Sequence, residues 1–369
     1  MIQPKHLKIE VKEDYRLIVI SDIHGHLDRF KQLLKKVNYK SSDYLVILGD
    51  FVEKGDQVLD TIHYVQYLDK NERVFVLAGN CEWALDALLT IPEIAGEIPK
   101  YLKRVSANGC IREIYNKYHL YDGHETTLGV QKKIADVLHN ELKYISHLPV
   151  TLKLNEFLFV HAGLEPREDY QHCGLSSMLE MQRFLELGHL LKETVVVGHL
   201  PTSNYKEDRI DNNVIIDKEK RIICIDGGTG VKPISQLNAL IIESIDNNVS
   251  IKSDYVQKFP EYKVIKSCYS DQKECHKISF PHFEVEMIQS GKSFSLCRQL
   301  ATGIEFPIKN EFLYQRENKL YCLDDYTDCI LNVDKGDIVQ VAGIYGDYVY
   351  AIKDGRVGWI KLNVLDTKG

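Results

Sequence analysis

The sequence predicts an α/β protein with a smaller all-β region at its C-terminal end. Three observations carry this. Over the first 245 residues, short β-branched runs alternate with longer amphipathic patterns, the order of an α/β fold. Three of those runs stop at a glycine followed by Asp, Asn or His: "YLVILGD", "RVFVLAGN" and "TVVVGH". Beyond "NALIIESI" the helical period gives way to short alternating strands separated by Gly and Asp turns.

Taken in order, "RLIVISD" (16–22) reads as a buried strand ending at an acidic residue, and "HLDRFKQLLKKVNY" follows with Phe30, Leu33, Leu34 and Val37 at helical spacing. "YLVILGD" (44–50) is the next strand, "QVLDTIHYVQYL" the next helix, and "RVFVLAGN" (73–80) a third strand. A helical stretch runs from about Pro92 to His147. Strands return as "EFLFVHAG" (156–163), "TVVVGH" (194–199) and "RIICIDGG" (221–228). In open α/β sheets ligands gather outside the carboxyl ends of the strands, so a strand driven into "GHLP" places His199 where a site is expected.

Bulk properties agree with this organisation. The chain has 369 residues, beyond the usual limit of about 250–300 for one core, so two domains are expected. A composition of 44% hydrophobic and 27% charged residues is that of a globular protein. The net charge of −7 argues against a nucleic-acid partner, which needs a concentrated basic surface. No segment approaches the roughly 20 apolar residues of a membrane helix, and the first residues lack a signal-peptide core. A cytoplasmic protein with no membrane partner is expected. The nine cysteines are scattered and odd in number, which reads as reduced thiols rather than a disulfide framework. "CYSDQKECH" (Cys268, Cys275, His276) has a spacing that fits no common zinc pattern.

The strand-end residues are Asp22 and His24 ("SDIHGH"), Asp50 ("GDFVEKG"), Asn80 ("GNCEW"), His161 ("VHAGL") and His199 ("VGHLP"). Carboxylate, imidazole and amide oxygen make a donor set for divalent transition metals. A shared carboxylate lets two cations sit roughly 3.5–4 Å apart, and Asp50 suits that role. A single strand-end histidine is more often a hydrogen-bonded structural residue. Five such pieces in one order are not explained that way.

That motif order resembles the calcineurin-like metallophosphoesterases, in the phosphoprotein phosphatase branch that also includes dinucleoside tetraphosphate hydrolases. The resemblance covers residues 16 to about 243. It implies a four-layer α/β/β/α sandwich, with two mixed sheets packed between helices. It also implies two divalent metal ions, one on Asp22, His24 and Asp50, the other on Asp50, Asn80, His161 and His199. Mn2+ is the first expectation, and Fe or Zn would accept the same ligands. The implied reaction is hydrolysis of phosphomonoesters by a hydroxide held between the cations. The expected substrate is a phosphoprotein (Ser, Thr or Tyr) or a phosphorylated small molecule. A dinucleoside polyphosphate hydrolase and a weakly active metal-binding scaffold are the alternatives.

The second and third motifs depart from the branch. Cys81 stands where it usually has a histidine considered to protonate the leaving oxygen, Glu53 where it has an aspartate that helps, and Lys54 where it has a phosphate-binding arginine. A thiol, with an ordinary pKa of about 8.5, cannot offer the charge of an imidazolium. Arg167, just past "HAGLEP", is a second candidate for the phosphate clamp or else a surface arginine, and His26 a candidate to compensate for Cys81. The domains are expected as 1–245 (dimetal phosphoesterase), 246–308 (an unassigned extension) and 309–369 (a small SH3-like barrel). In the last, Tyr345, Tyr348, Tyr350 and Trp359 form either a groove for a peptide partner or a core.

Overall fold

The computed structural model describes residues 2–103, 108–119 and 126–367, so parts of the expected helical stretch from Pro92 to His147 lie outside the described residues. The chain divides into two units. The first comprises residues 1–201, 214–231 and 235–257, and the second residues 202–213, 232–234 and 258–369.

In the first unit the elements are β1 (His6–Ile9), β2 (Tyr15–Ile20), α1 (Leu27–Lys36), β3 (Tyr44–Leu48), α2 (Val58–Leu68), β4 (Val74–Leu77) and α3 (Asn80–Thr90). Then come α4 (Glu97–Lys103), α5 (Cys110–Tyr118), α6 (Thr127–Val137), α7 (His139–Ile145), β5 (Thr151–Leu154) and β6 (Phe157–Val160). The set ends with α8 (Leu175–Glu180), α9 (Phe184–Leu187), β7 (Thr194–Val197), β8 (Ile215–Asp217), β9 (Ile222–Cys224), β10 (Leu237–Ile245) and β11 (Asn248–Val256). One sheet has the order β11-β10-β2-β3-β4 and the other β1-β5-β6-β7-β9-β8. Both are mixed: β2, β3 and β4 run parallel, as do β6, β7 and β9, while β10 and β8 are antiparallel to their neighbours.

Side-chain alternation explains the layers. Leu17, Val19, Val46, Leu48 and Leu77 of the first sheet pack in one core with Phe157, Phe159, Val196 and Ile223 of the second. Their sequence neighbours Ile18, Ile47, Leu158, Val195 and Ile222 point the other way and are equally buried. Strands apolar on both faces belong to sheets covered on both sides. On the first sheet part of that cover is α1, which buries Leu27, Phe30, Leu33 and Leu34 and lies against β10 and β11. The result is the four-layer α/β/β/α arrangement. The β10–β11 hairpin turns at Asp246 and Asn247, with φ of 50° and 63°, the conformation Asp and Asn tolerate best after Gly.

The second unit is all β apart from short turns. Its strands are β12 (Glu261–Lys263), β13 (Lys277–Ile278), β14 (Glu284–Gln289), β15 (Phe294–Gln299), β16 (Glu305–Lys309) and β17 (Leu313–Arg316). They continue as β18 (Lys319–Cys322), β19 (Tyr326–Thr327), β20 (Ile338–Tyr345), β21 (Tyr348–Lys353) and β22 (Arg356–Lys361). They form sheets β12-β20-β21-β22, β13-β19 and β16-β15-β14-β18-β17. Trp359 and Tyr350 are 2% and 1% exposed. The indole Nε1 donates to the Thr327 carbonyl at 2.9 Å, and the Tyr350 hydroxyl accepts the Thr327 N–H at 3.0 Å. These two rings are core, with both polar tips satisfied from inside. Tyr345 and Tyr348 are half-buried against them.

The expectation that every cysteine is a reduced thiol is corrected. Cys275 and Cys329, 54 residues apart, form a disulfide, and the other seven form none. No helix among the described residues is long and apolar enough to cross a membrane.

Because Trp359 is core, Trp359→Ala should destabilise the second unit by about 3–5 kcal/mol, whereas Tyr348→Ala should cost far less. Calorimetric unfolding of the two variants checks this, and equal, near-neutral effects would return Trp359 to a surface role.

Candidate active site

Six side chains meet at the carboxyl ends of the parallel strands. Asp22 and His24 follow β2, Asp50 follows β3, Asn80 opens α3 after β4, His161 follows β6 and His199 follows β7. Their polar atoms close a ring. His24 Nε2 lies 3.8 Å from Asp22 Oδ1 and 3.6 Å from Asp50 Oδ2. Asp50 Oδ1 lies 3.5 Å from His161 Nε2, and Asn80 Oδ1 lies 3.0 Å from that same nitrogen and 2.9 Å from His199 Nδ1. The His199 N–H donates back to Asp22 Oδ2 at 3.0 Å. Asp50, 2% exposed, stands between two imidazoles with one oxygen toward each.

Backbone carbonyls fix two of the rings. His161 Nδ1 is 2.8 Å from the Leu48 carbonyl and His24 Nδ1 is 3.1 Å from that of Val52. A carbonyl only accepts, so both Nδ1 atoms carry a proton and both Nε2 atoms face the ring, the orientation metal-ligating histidines need.

The local backbone is built for close approach. Asp22, His24, Asp50 and His199 have φ of 54°, 47°, 51° and 65°, a region costing non-glycine residues about 1–3 kcal/mol each. Gly198 is required next to His199, since a Cβ there would overlap Ser21 Oγ and Asp22 Oδ2. A Cβ on Gly79 would likewise strike Asp50 Oδ1.

Electrostatics favours cations here. Burial raises the pKa of Asp22, and burial with the charge of Asp22 raises that of Asp226 well above the carboxylate range. Asp226 Oδ2 is buried without a hydrogen-bond partner. Burial works against ionised Asp50 too, but His161, His24 and Lys54 outweigh it and keep its pKa low. Burial disfavours charge on His161, yet Asp50 and Asp22 together raise its pKa; the field that attracts a proton there attracts a metal cation equally. Single donor atoms of Asp22, Asp50 and His161 lie within 4.8 Å of one another, as do those of His24, Asp50 and Cys81. The donor set therefore fits two divalent ions sharing Asp50.

The other predicted residues divide. Lys54 Nζ lies 3.1 Å from His24 Nε2. The residue as a whole is exposed, but partial burial of the ammonium is outweighed by Cys81, Asp50 and Asp22, which raise its pKa. Cys81, 7% exposed, gives its N–H to Asp50 Oδ1 at 2.8 Å and its thiol to Asp50 Oδ2 at 3.1 Å. Glu53 lines the cavity shared with Lys54, Asn80 and Cys81 and accepts from the Tyr101 hydroxyl at 2.5 Å and the Cys110 N–H at 3.1 Å. Arg167 is held by Asp169, Glu165 and the His172 carbonyl on the loop after β6, and His26 Nδ1 by the carbonyls of His24 and Ile23. None of these hydrogen bonds reaches the side chain of any of the six. A cavity of about 400 Å³ beside the ring is lined by Lys54, Asn80, Cys81, Leu85 and Tyr101 among others.

Sequence reasoning missed two residues. Asp226 ends the "RIICID" run just as Asp22 and Asp50 end theirs, so the same rule would have found it. Glu82 was visible as the acid of the "GNCE" motif but was given no role. It is fully buried and accepts the N–H groups of Gly79 (2.7 Å), Asp50 (2.8 Å), Phe51 (3.0 Å) and Val52 (3.0 Å). Glu82→Gln sets an NH2 group against those donors. It should lower stability by about 2–4 kcal/mol, measured by chemical denaturation; a loss under about 0.5 kcal/mol would show the brace to be dispensable.

Comparison with known proteins places this geometry. A bis(5'-nucleosyl)-tetraphosphatase (symmetrical) of Vibrio parahaemolyticus is 26% identical over 178 residues, 47% of this chain and 55% of the relative. One from Buchnera aphidicola is 40% identical over 62 residues, 16% of this chain and 22% of that one. The chain thus spans about half the length, or less, of these curated relatives. A solved protein serine/threonine phosphatase from Saccharomyces cerevisiae is 13% identical, covering 70% of this chain and 86% of that one with a TM-score of 0.42. The model of the calcineurin-like phosphoesterases matches residues 15–220, a span that holds the complete six-residue ring. With more than half of its length in that match, the chain belongs to the calcineurin-like phosphoesterase family.

Proposed function

We propose that this chain is a metal-dependent hydrolase of phosphoric esters and anhydrides that favours leaving groups needing little protonation. The observation carrying this is the Cys81 thiol, 3.1 Å from Asp50 Oδ2. A neutral thiol lacks the positive charge of an imidazolium and hydrogen-bonds more weakly, and burial disfavours its thiolate form. A group that keeps its proton is a poor general acid, and general acid catalysis is typically worth about 10²–10⁴-fold. Serine and threonine alkoxides need that proton most. Phenolates, with a pKa of about 10, and phosphoanhydrides need it less.

The residues divide the work as follows. Asp22, His24, Asp50, Asn80, His161 and His199 would hold two divalent cations, manganese first and iron or zinc as alternatives, with Asp50 between them. When bound, such ions supply an activated water and neutralise charge at phosphorus. Lys54 Nζ, beside His24, stabilises charge growing on the phosphoryl oxygens. The cavity lined by Leu85 and Tyr101 next to Cys81 gives a planar leaving group room. Among natural substrates this ranks nucleoside polyphosphates and phosphotyrosine ahead of phosphoserine and phosphothreonine. The relatives named for dinucleoside tetraphosphates support that ranking. A phosphoprotein substrate is the second reading, favoured by the order of the five motifs along the chain.

A series of aryl and alkyl phosphates and dinucleoside polyphosphates, assayed with Mn2+, tests the proposal. Rates should fall steeply as leaving-group pKa rises. Cys81→His should raise alkyl phosphate turnover by about 10²-fold or more while changing anhydride turnover little. A flat dependence matching that of Cys81→His would remove the argument. Asp50→Asn and His199→Ala should each lower turnover of every substrate by more than about 100-fold; retained activity in both would disown the ring as the reaction centre.

A further inference from the structure

We infer that the second unit contains a separate, redox-gated metal site in which Cys275, Cys329 and Asp328 take a thiophilic divalent ion such as Zn2+ once their disulfide is reduced. Ligand atoms of these three residues lie within 4.8 Å of one another. The cysteines stand opposite each other at the same end of one short antiparallel ladder. Cys275 stands two residues before β13 and Cys329 two residues after β19, and the strands pair Lys277 with Thr327 and Ile278 with Tyr326. Thr327 ties the two strands together at that end: its hydroxyl donates to the His276 carbonyl at 2.8 Å and accepts the Cys329 N–H at 3.2 Å. The Cα atoms of the cysteines are therefore held 5.0 Å apart by backbone that survives loss of the sulfur bond.

Asp328 completes the set. Its side chain is 4% exposed, and its oxygens accept the His276 N–H at 2.7 Å and His276 Nδ1 at 2.8 Å. Each bond occupies one lone pair of an oxygen that has two, so the carboxylate can accept a metal while His276 fixes its orientation, the usual relation between a ligand and its outer support. Two thiolates and a carboxylate form a borderline-soft set that selects Zn2+ over Mg2+ or Ca2+ and leaves a fourth position for water. In the sequence the candidate was Cys268 with Cys275 and His276; the fold sends Cys268 instead to a backbone bridge with Val333 and brings in Cys329.

The chemistry balances with a small-molecule thiol as reductant. Two thiols each give one electron and one proton, the Cys275–Cys329 bond breaks to two protein thiols, and the reductant leaves as its own disulfide. Metal binding then displaces the two protons, and reoxidation by a disulfide expels the ion. Oxidised and metal-loaded forms are mutually exclusive.

The test uses the full chain, oxidised and reduced, with Zn2+ counted by competition against a chromogenic chelator and Co2+ as the spectroscopic probe. Reduction should add a single equivalent of bound Zn2+ and a near-ultraviolet thiolate-to-Co2+ charge-transfer band. Both gains should vanish in Cys275→Ser, whose site is half-exposed, and in Cys329→Ser, and Asp328→Asn should weaken the added site about 10-fold or more. Equal metal uptake before and after reduction, or a band that persists in Cys275→Ser, would overturn the inference. Unchanged affinity in Asp328→Asn would remove Asp328 from the ligand set. Since none of these variants touches the Asp50 centre, its activity on aryl phosphates reports separately on the proposed hydrolase.

Discussion

The carboxylate of Glu82 is the point on which the centre depends. It gathers four backbone N–H groups, one from the start of α3 and three from the turn after β3, and so fixes Asp50 and Asn80 relative to each other. Each of those donors, buried without a partner, would cost about 1–3 kcal/mol. The arrangement places two carboxylates side by side in a dry interior. Burial and the charge of Asp50 push the Glu82 pKa up to about 7, while the N–H groups of Val52, Gly79 and Asp50 pull it down. Glu82 is tolerable as an anion only because the chain surrounds it with donors, and Asp50 only because imidazoles and an ammonium face it.

That brace also explains how the strand ends hold an unfavourable backbone. Four of the six ring residues, Asp22, His24, Asp50 and His199, sit at positive φ. None of them is a glycine, because each must carry a side chain. The glycines instead occupy the positions beside them, Gly198 and Gly79, where a Cβ would overlap the carboxylates of Asp22 and Asp50. Strain and close approach are thus divided between neighbours. Hydrogen bonds between the loops, such as Asp22 N–H to the Gly49 carbonyl at 3.1 Å and His24 N–H to that of Asp50 at 2.9 Å, continue the sheet's pairing past the last strand residues and hold the strained ones in place.

Much of this was legible in the sequence because it was local. A β-branched run ending in a polar residue announces both a strand and what it delivers, and the six ring residues were all found that way. What stayed hidden depends on pairing across the chain. Glu82 acts on residues 30 positions earlier, and no helix pattern distinguishes it from an exposed first-turn acid. The partner of Cys275 lies 54 residues away. The orientations of Glu53 and Arg167 depend on neighbours, Tyr101 and Asp169, that the motifs do not contain. Trp359 could have been groove or core until Thr327 was seen to satisfy its indole.

Position 81 shows how the two tasks of such a centre separate. Holding cations depends on Asp50, and Asp50 is supported through the Cys81 backbone N–H, a group every residue but proline provides. Donating a proton depends on the side chain alone. A cysteine can therefore replace another residue at this position without dismantling the ring, and its thiol then finds its partner in the carboxylate it would have to leave in order to act as an acid. On the function proposed above, the cost falls on substrates whose leaving groups demand a proton, while those that depart as stable anions are spared. Such a change shifts the range of substrates and leaves the donor set whole, and the complete ring beside Cys81 has that form.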